Sequence, residues 1–370
     1  MYMHVLLLTL GLFVYLSTAA YTLLDDYGNT DSFFDQFEFF TGEDPTSGFV
    51  TYVDQATAEA SGLISSNDEA VYIGVDNTAV TTTGRNSVRI SSTNTYNQGL
   101  FILDLGHMPA SACGSWPAFW LLGNGTWPDN GEIDIIEGVN SQAVDSMTLH
   151  TTDGCSINDS GFTGTLTTGN CYFDAAGQSN NAGCGINNVD ASSYGTGFNG
   201  IGGGVYAVEW TDSGISIWFF GRDTGIPSDI TDGAPNPTLW PEPPATFAGD
   251  CDFASHFMDM SIHLLLIPLT TDLDLRYHLL RPVGRRRLVL RRHLRPLDGS
   301  CNDYVGNNPT AFTDTYWSIN GLQVYQDTAA TKRNTPMAKH HRTNAAKRAR
   351  SPPQPMRARR FGRDSLNYFA

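Results

Sequence analysis

Residues Glu132 to Glu137 read Glu-Ile-Asp-Ile-Ile-Glu, and few backbone shapes suit both the three acids and the three isoleucines. In a strand, successive side chains alternate between faces. Glu132 and Asp134 then share one face, while Ile133 and Ile135 share the other. A regular strand turns Glu137 onto the isoleucine face, where burying a charge is costly. One extra residue, a β-bulge at Ile135-Ile136, returns Glu137 to the face of Glu132. The segment that follows agrees. A hairpin loop over Asn140 to Ala143 pairs Val139 with Val144 and Glu137 with Ser146. With the bulge opposite Met147, Asp134 faces Thr148 and Glu132 faces His150. Ser146, Thr148 and His150 join the acids, and Met147 and Leu149 join the isoleucines. The pattern predicts a bulged strand in an antiparallel sheet with one apolar and one polar face.

The rest of the chain reads the same way. From Tyr21 to Ile262 it is strand and turn, rich in Gly, Thr, Ser, Asn and aromatic residues, a composition of short strands rather than helices. Asn86 to Ile90, Gly99 to Leu105, Ser146 to His150, Val205 to Trp210 and Ile215 to Phe220 are predicted strands. Asp212-Ser213-Gly214 reads as a hairpin loop between the last two. Tyr316 to Tyr325 reads as a closing strand. Asp153 to Gly204 holds three of the six cysteines and is expected to form long loops pinned by disulfides, of the kind that wall a cleft. Asp223 to Gly249 is expected to be an irregular excursion. The fold class is all-β, with one large sandwich or barrel holding most of the 370 residues.

Taken alone, the acids leave three readings open. They are a catalytic pair with an assisting carboxylate, a hard-metal site, or a solvated face. In the catalytic reading, Glu132 and Glu137 have Cα atoms about 13 Å apart along the strand. Long side chains on a curved sheet could bring the carboxyls toward the ~5–5.5 Å of a retaining glycosidase pair. Asp134 between them raises a neighbour's pKa by like-charge repulsion, which suits a group that must hold a proton. Aromatic residues cluster just upstream, as Trp116-Pro117-Ala118-Phe119-Trp120 and then Trp127. Aromatic faces bind the apolar faces of sugar rings. Trp127, in the loop just before Glu132, is hard to place in a core. Trp120 and Trp116 are candidates for sugar contact or for packing.

Charge divides the chain near residue 262. Residues 1–262 carry 31 acidic side chains against three basic ones, Arg85, Arg89 and Arg222, a net −28. Residues 263–370 carry 19 basic and seven acidic side chains, a net +12. The acidic part argues against nucleic acid or an anionic membrane as partner and tolerates a neutral polymer. Met1 to Ala20, with its apolar run from Val5 to Leu16, predicts a secretory signal at 1–20 cleaved near Ala19 or Ala20. That run is short for a membrane span, so no membrane partner is expected once it is removed. Six cysteines, Cys113, Cys155, Cys171, Cys184, Cys251 and Cys301, fit a secreted disulfide protein and show no zinc-knuckle spacing. Asn124-Gly125-Thr126 and Asn158-Asp159-Ser160 are N-glycosylation sequons. The tail at 328–370 includes the basic, proline-containing stretch Lys332 to Arg363 and has the composition of a disordered segment.

The motif Gly-Glu-Ile-Asp-Ile-Ile-Glu-Gly at 131–138 resembles the bulged signature of glycoside hydrolase family 16. The wider pattern is similar to the fungal endo-1,3(4)-β-glucanases, or laminarinases, of that family. It is carried by Arg85 to Ile90, His107-Met108-Pro109, Gly114 to Trp120, Trp127 to Asn140, Met147 to His150, Ser193-Tyr194-Gly195 and Cys301 to Gln326. The resemblance implies a β-jelly-roll sandwich of the concanavalin A-like lectin/glucanase type over 21–327, with a cleft across its concave sheet. It implies Glu132 as nucleophile, Glu137 as acid/base and Asp134 as the nucleophile's assistant, with retention through a glycosyl-enzyme intermediate. Trp120, Trp127 and His150 match cleft positions, Trp116 lies beside them, and Arg89 falls near the non-reducing end. The implied substrate is β-glucan, with no cofactor and no catalytic metal. A structural calcium occurs in some relatives and has no locatable site in this sequence. The implied protein is a monomer, secreted and extracellular or in the cell wall. A cell-wall transglycosylase or a non-enzymatic glucan-binding protein on the same fold are the rival readings.

One segment departs from the family pattern. Residues 263–300 hold eight arginines between Arg276 and Arg295 and no Cys, Trp or Phe, whereas the family pattern resumes at Cys301. We read this segment as the product of a frame shift or an unspliced intron in the coding sequence. Peptide mass spectrometry of the secreted protein checks this, and tryptic peptides spanning Arg276 to Arg295 would contradict it.

Overall fold

The bulged strand lies where its side-chain pattern requires, near the middle of a large sheet. The computed structural model describes residues 21–28, 32–67, 69–268 and 301–328. The expected signal at 1–20, residues 269–300 and the tail from 329 onward lie outside the described residues.

In chain order the strands are β1 (Tyr21–Asp26), β2 (Phe37–Phe39), β3 (Val50–Tyr52), β4 (Ile64–Ser66), β5 (Val71–Gly74), β6 (Arg85–Ser87), β7 (Arg89–Ser92), β8 (Gly99–His107) and β9 (Ser115–Gly123). They continue as β10 (Glu132–Glu137), β11 (Ser146–His150), β12 (Thr165–Thr168), β13 (Cys184–Asn187), β14 (Gly204–Thr211), β15 (Gly214–Gly221), β16 (Ala245–Phe247), β17 (Met260–Pro268) and β18 (Tyr316–Asp327). One antiparallel sheet runs β12-β13-β11-β10-β9-β17-β7-β2. The other runs β16-β15-β14-β8-β18-β5-β4, with β1 also on β18. The two form a jelly-roll sandwich. Ile133, Ile135, Leu121, Ile262 and Leu264 of the first sheet belong to one buried cluster with Phe101, Leu103, Val208, Ile217 and Val324 of the second. This is the alternation expected of two sheets sharing a core.

Strand β8 is apolar at successive positions because both its faces are covered. Leu100 and Ile102 point away from the shared core into a second buried cluster with Trp218, Phe220 and Trp240, packed by Ile226 and Ile230. The excursion Asp223 to Gly249 thus covers the outer face of the second sheet. Trp218 Nε1 donates to the Pro241 carbonyl at 2.8 Å, and Trp240 Nε1 donates to Asp229 Oδ2 at 2.8 Å.

Two expectations need correction. Asn86 to Ile90 is two strands rather than one. Residues Arg85–Ser87 pair in parallel with β3, and Arg89–Ser92 join the large sheet. Val88 between them is fully buried, so apolar phase alone does not reveal the switch. The Asp153 to Gly204 stretch is not loops alone. It contains β12 and β13, which extend the site-bearing sheet, and Leu166 and Ile186 pack against or within the core. The charge break near 262 falls inside a strand. β17 runs through it and pairs with β9 and β7, with Leu264 and Leu266 in the core. Only the part of the anomalous segment beyond 268 lies outside the described residues.

The disulfides fall where the loops were expected to need them. Cys155 bonds Cys251, and Cys171 bonds Cys184, closing a short loop against the site-bearing sheet. Both sequon asparagines, Asn124 and Asn158, are exposed. Among the described residues no helix is long and apolar enough to cross a membrane.

Arg85 ties the segment after residue 300 to the rest of the fold. Its side chain is fully buried and donates to the carbonyls of Asp76 (2.7 Å), Ala79 (3.1 Å), Val305 (3.0 Å from Nε) and Gly306 (3.3 Å). The guanidinium also lies 5.0 Å from the ring centre of Phe312. Val305 and Gly306 lie in the last turn of the helix Cys301–Asn307, where carbonyls without a partner inside the helix favour a cation.

Candidate active site

The register places the acids as the pattern requires. Glu132 pairs with His150, Ile133 with Leu149 and Asp134 with Thr148. On the β9 side Asp134 pairs with Trp120 and Ile136 with Phe119, so Ile135 is the extra residue. Ile133, Ile135 and Ile136 are fully buried, whereas Glu132 and Glu137 are half-buried. The bulge therefore solves the problem posed by the sequence: both glutamates leave the core.

Glycines bound this strand for steric reasons. Gly131 has φ +80°, and a Cβ there would lie 2.4 Å from the His256 carbonyl oxygen. A Cβ on Gly138 would lie 2.5 Å from Tyr194 Cζ. A side chain at either position would push an end of the acid-bearing strand away from its packing.

Each glutamate is held by a tryptophan. Trp127 Nε1 donates to Glu132 Oε2, and Trp116 Nε1 donates to Glu137 Oε1 at 2.8 Å. An indole N–H can only donate, so each carboxylate accepts from a fixed donor, and at Glu137 that bond favours the ionised form. Between them, Asp134 is buried and faces His150, with Nε2 3.4 Å from Oδ2. Burial, then the charges of Glu132 and Glu137, push the Asp134 carboxyl well above the usual range, against the pull of His150. Burial opposes a charge on His150, but Asp134, then Glu132 and Glu137, push it up to about 9. Both groups of the pair are thus shifted toward holding a proton beside Glu132. Burial also raises Glu137, with a further push from Glu132, against the Trp116 hydrogen bond and the charge of His150.

The same row continues across the sheet as Thr148, Asp134, Trp120 and His263. Trp120 is buried and stacks on His263, ring centres 4.9 Å apart. Arg89 covers this stack, with its guanidinium carbon 5.4 Å from the Trp120 ring centre and 5.0 Å from that of the exposed Phe40. Burial and then Arg89 pull His263 down to about 3, leaving it neutral at ordinary pH. On the other side Trp127, 37% exposed, meets Phe173 edge-on at 5.3 Å and lies 5.9 Å from His150. Phe173 in turn meets Tyr172 at 5.2 Å, on the loop closed by the Cys171–Cys184 disulfide.

All eight residues singled out in the sequence, Arg89, Trp116, Trp120, Trp127, Glu132, Asp134, Glu137 and His150, belong to this one sheet or its adjoining loop. Four neighbours were missed. His263 lay inside the segment taken as foreign, and Tyr172 and Phe173 lay in a stretch read as loop. Asp145 did give a signal: it shares the phase of Met147 and Leu149, an acid on the core side that must have partners. It is fully buried, and its Oδ1 accepts from the Glu137 N–H at 3.0 Å. The loop expected over Asn140 to Ala143 is correspondingly longer, running from 138 to 145. Among the described residues no group of His, Cys, Asp or Glu is arranged to hold a metal ion.

Comparison with known proteins points the same way. The family model for the XgeA-like catalytic GH16 domain matches residues 37–325. An endo-1,3(4)-beta-glucanase of Arthroderma benhamiae is 43% identical over 331 residues, spanning 88% of this chain and 69% of that protein. Laminarinase 16A of Phanerochaete chrysosporium, solved with two β-glucan molecules in donor and acceptor sites, is 40% identical with a TM-score of 0.72. The match covers 83% of this chain and 99% of that one. An elongating β-1,3-glucosyltransferase of the same family is similar to the same degree, 40% identical with a TM-score of 0.72 over 83% of this chain and all of that one.

Proposed function

Because the chain belongs to glycoside hydrolase family 16 and is thus a glycoside hydrolase, we propose that it is a secreted, endo-acting β-glucan hydrolase. It cleaves 1,3- or mixed 1,3/1,4-β-glucosidic bonds with retention, by double displacement. Glu132 attacks the anomeric carbon. Glu137 protonates the leaving oxygen and then takes a proton from the incoming water. Asp134 and His150 orient Glu132 and hold a proton beside it. The observation that carries this reading is the pair of half-buried glutamates on one strand face, each fixed by an indole N–H.

The walls of the site support a neutral polymer of sugar rings. Trp127, Phe173 and Tyr172 offer aromatic surface on one side, and Trp120, Arg89 and Phe40 on the other. Family 16 also supports a second reading. The glucosyltransferase relative is as similar as the laminarinase, and water and sugar can use the same glycosyl-enzyme. Time-resolved product analysis on laminarin and lichenan separates the two. Shortening oligosaccharides from the first minutes are expected; products longer than the substrate would favour transfer, and no change in either polymer would remove the assignment.

The environment of Glu137 sets the direction of a pH effect. As the acid it works protonated, so kcat/KM falls as pH rises through its pKa, which burial has raised. The Trp116 hydrogen bond favours the carboxylate. Trp116→Phe removes it, raises the Glu137 pKa further, and moves the basic limb of the kcat/KM profile to higher pH. A limb unchanged or moved to lower pH would contradict Glu137 as the acid.

A further inference from the structure

The ladder that holds Glu137 is one-sided. On one edge Glu137 pairs with Ala118 of β9. On the other, pairing with β11 ends at Asp134 and Thr148. Both backbone groups of Glu137 are then met by side chains. Its N–H donates to Asp145 Oδ1 at 3.0 Å, and its carbonyl accepts from Gln142 Nε2 at 3.2 Å.

We propose that Asp145 and Gln142 are positioning residues that replace the missing ladder and fix the Glu137 carboxyl relative to Glu132. The proposal rests on the reading of Glu137 as acid/base.

Both residues are themselves anchored. Asp145 is fully buried. Its own N–H donates to Ser193 Oγ at 3.0 Å, and its carbonyl accepts from the Asn188 N–H at 2.9 Å. Ser193, also fully buried, donates onward to the Asp190 carbonyl at 2.7 Å. Gln142 Nε2 also reaches the Val144 carbonyl (2.8 Å) and Ser146 Oγ (3.1 Å). Its own carbonyl accepts from Ser111 Oγ at 2.7 Å. Burial pushes the Asp145 carboxyl well above its usual range, against the hydrogen bond from the Glu137 N–H, so the side chain contributes an oxygen acceptor at Oδ1 rather than a charge. That acceptor holds the residue whose displacement matters most, since an error of about 1 Å in a reacting group costs on the order of 10²-fold in rate.

The test compares two substrates. One is laminarin, whose leaving sugar needs a proton. The other is an aryl β-glucan oligosaccharide with a dinitrophenolate leaving group, which departs without one, followed as first-turnover release. Glu137→Ala serves as the reference and is expected to lose laminarin cleavage while keeping the dinitrophenolate burst. Asp145→Ala should lower kcat on laminarin by about 10²-fold with KM little changed, and keep the burst rate. Asp145→Asn retains an oxygen acceptor and should recover much of the loss. Gln142→Ala should show a smaller loss with the same selectivity, and it decides the matter if Asp145→Ala does not fold. Equal loss on both substrates in the positioning variants, with Glu137→Ala still selective, overturns the positioning role alone. Equal loss in Glu137→Ala overturns the acid/base reading and this proposal with it.

Discussion

Glu132→Gln is expected to lower kcat on β-glucan by about 10⁴-fold or more, leaving fold and KM nearly unchanged. Glu132 is half-buried at the start of β10 and its carboxyl is fixed by the Trp127 indole. The amide has the same shape and keeps an oxygen for that N–H, so the sheet and the aromatic walls stay in place. What is lost, in the proposed mechanism, is the carboxylate oxygen that would bond to the sugar. Reducing-sugar release measured on laminarin, with thermal unfolding as the control for folding, checks this. A variant within tenfold of the parent would remove Glu132 as the nucleophile.

Glu137→Gln is expected to lower laminarin turnover by about 10²- to 10⁴-fold, the range for losing a general acid/base. The effect differs in kind from that at Glu132. Burial raises the pKa of Glu137, as a proton donor requires, and the substitution removes the donor without removing the nucleophile. The loss should therefore shrink as the leaving group becomes more acidic, and azide should rescue the second half of the reaction by attacking without a base. A loss independent of the leaving group would assign Glu137 another role.

Much of this site was legible in the sequence because one strand carries it. Alternation of acids and isoleucines forces the bulge, and the bulge forces both glutamates onto one face. The observed pairs Glu132–His150 and Asp134–Thr148 follow from that phase. Alternation says nothing about which glutamate attacks. That assignment came from family resemblance, and the burial of Glu137 and its Trp116 contact are consistent with it. The loop after the bulge was misread because a tight hairpin satisfies apolar phase equally well. Only the buried carboxylate of Asp145 tells against it. His263 was missed for a different reason. Its neighbours in sequence look foreign, yet the six residues from His263 to Pro268 continue β17 beside β9. Composition averaged over a segment concealed a short apolar strand at its edge. The walls built by Tyr172 and Phe173 depend on a disulfide pairing that spacing does not determine.

The central claim is a double displacement between Glu132 and Glu137, and the anomeric form of the first product tests it most directly. Proton NMR of laminarin or lichenan cleavage should show the β-anomer of the new reducing end appearing first, with the α-anomer growing later by mutarotation. The α-anomer appearing first would mean a single displacement by water, and would contradict the account.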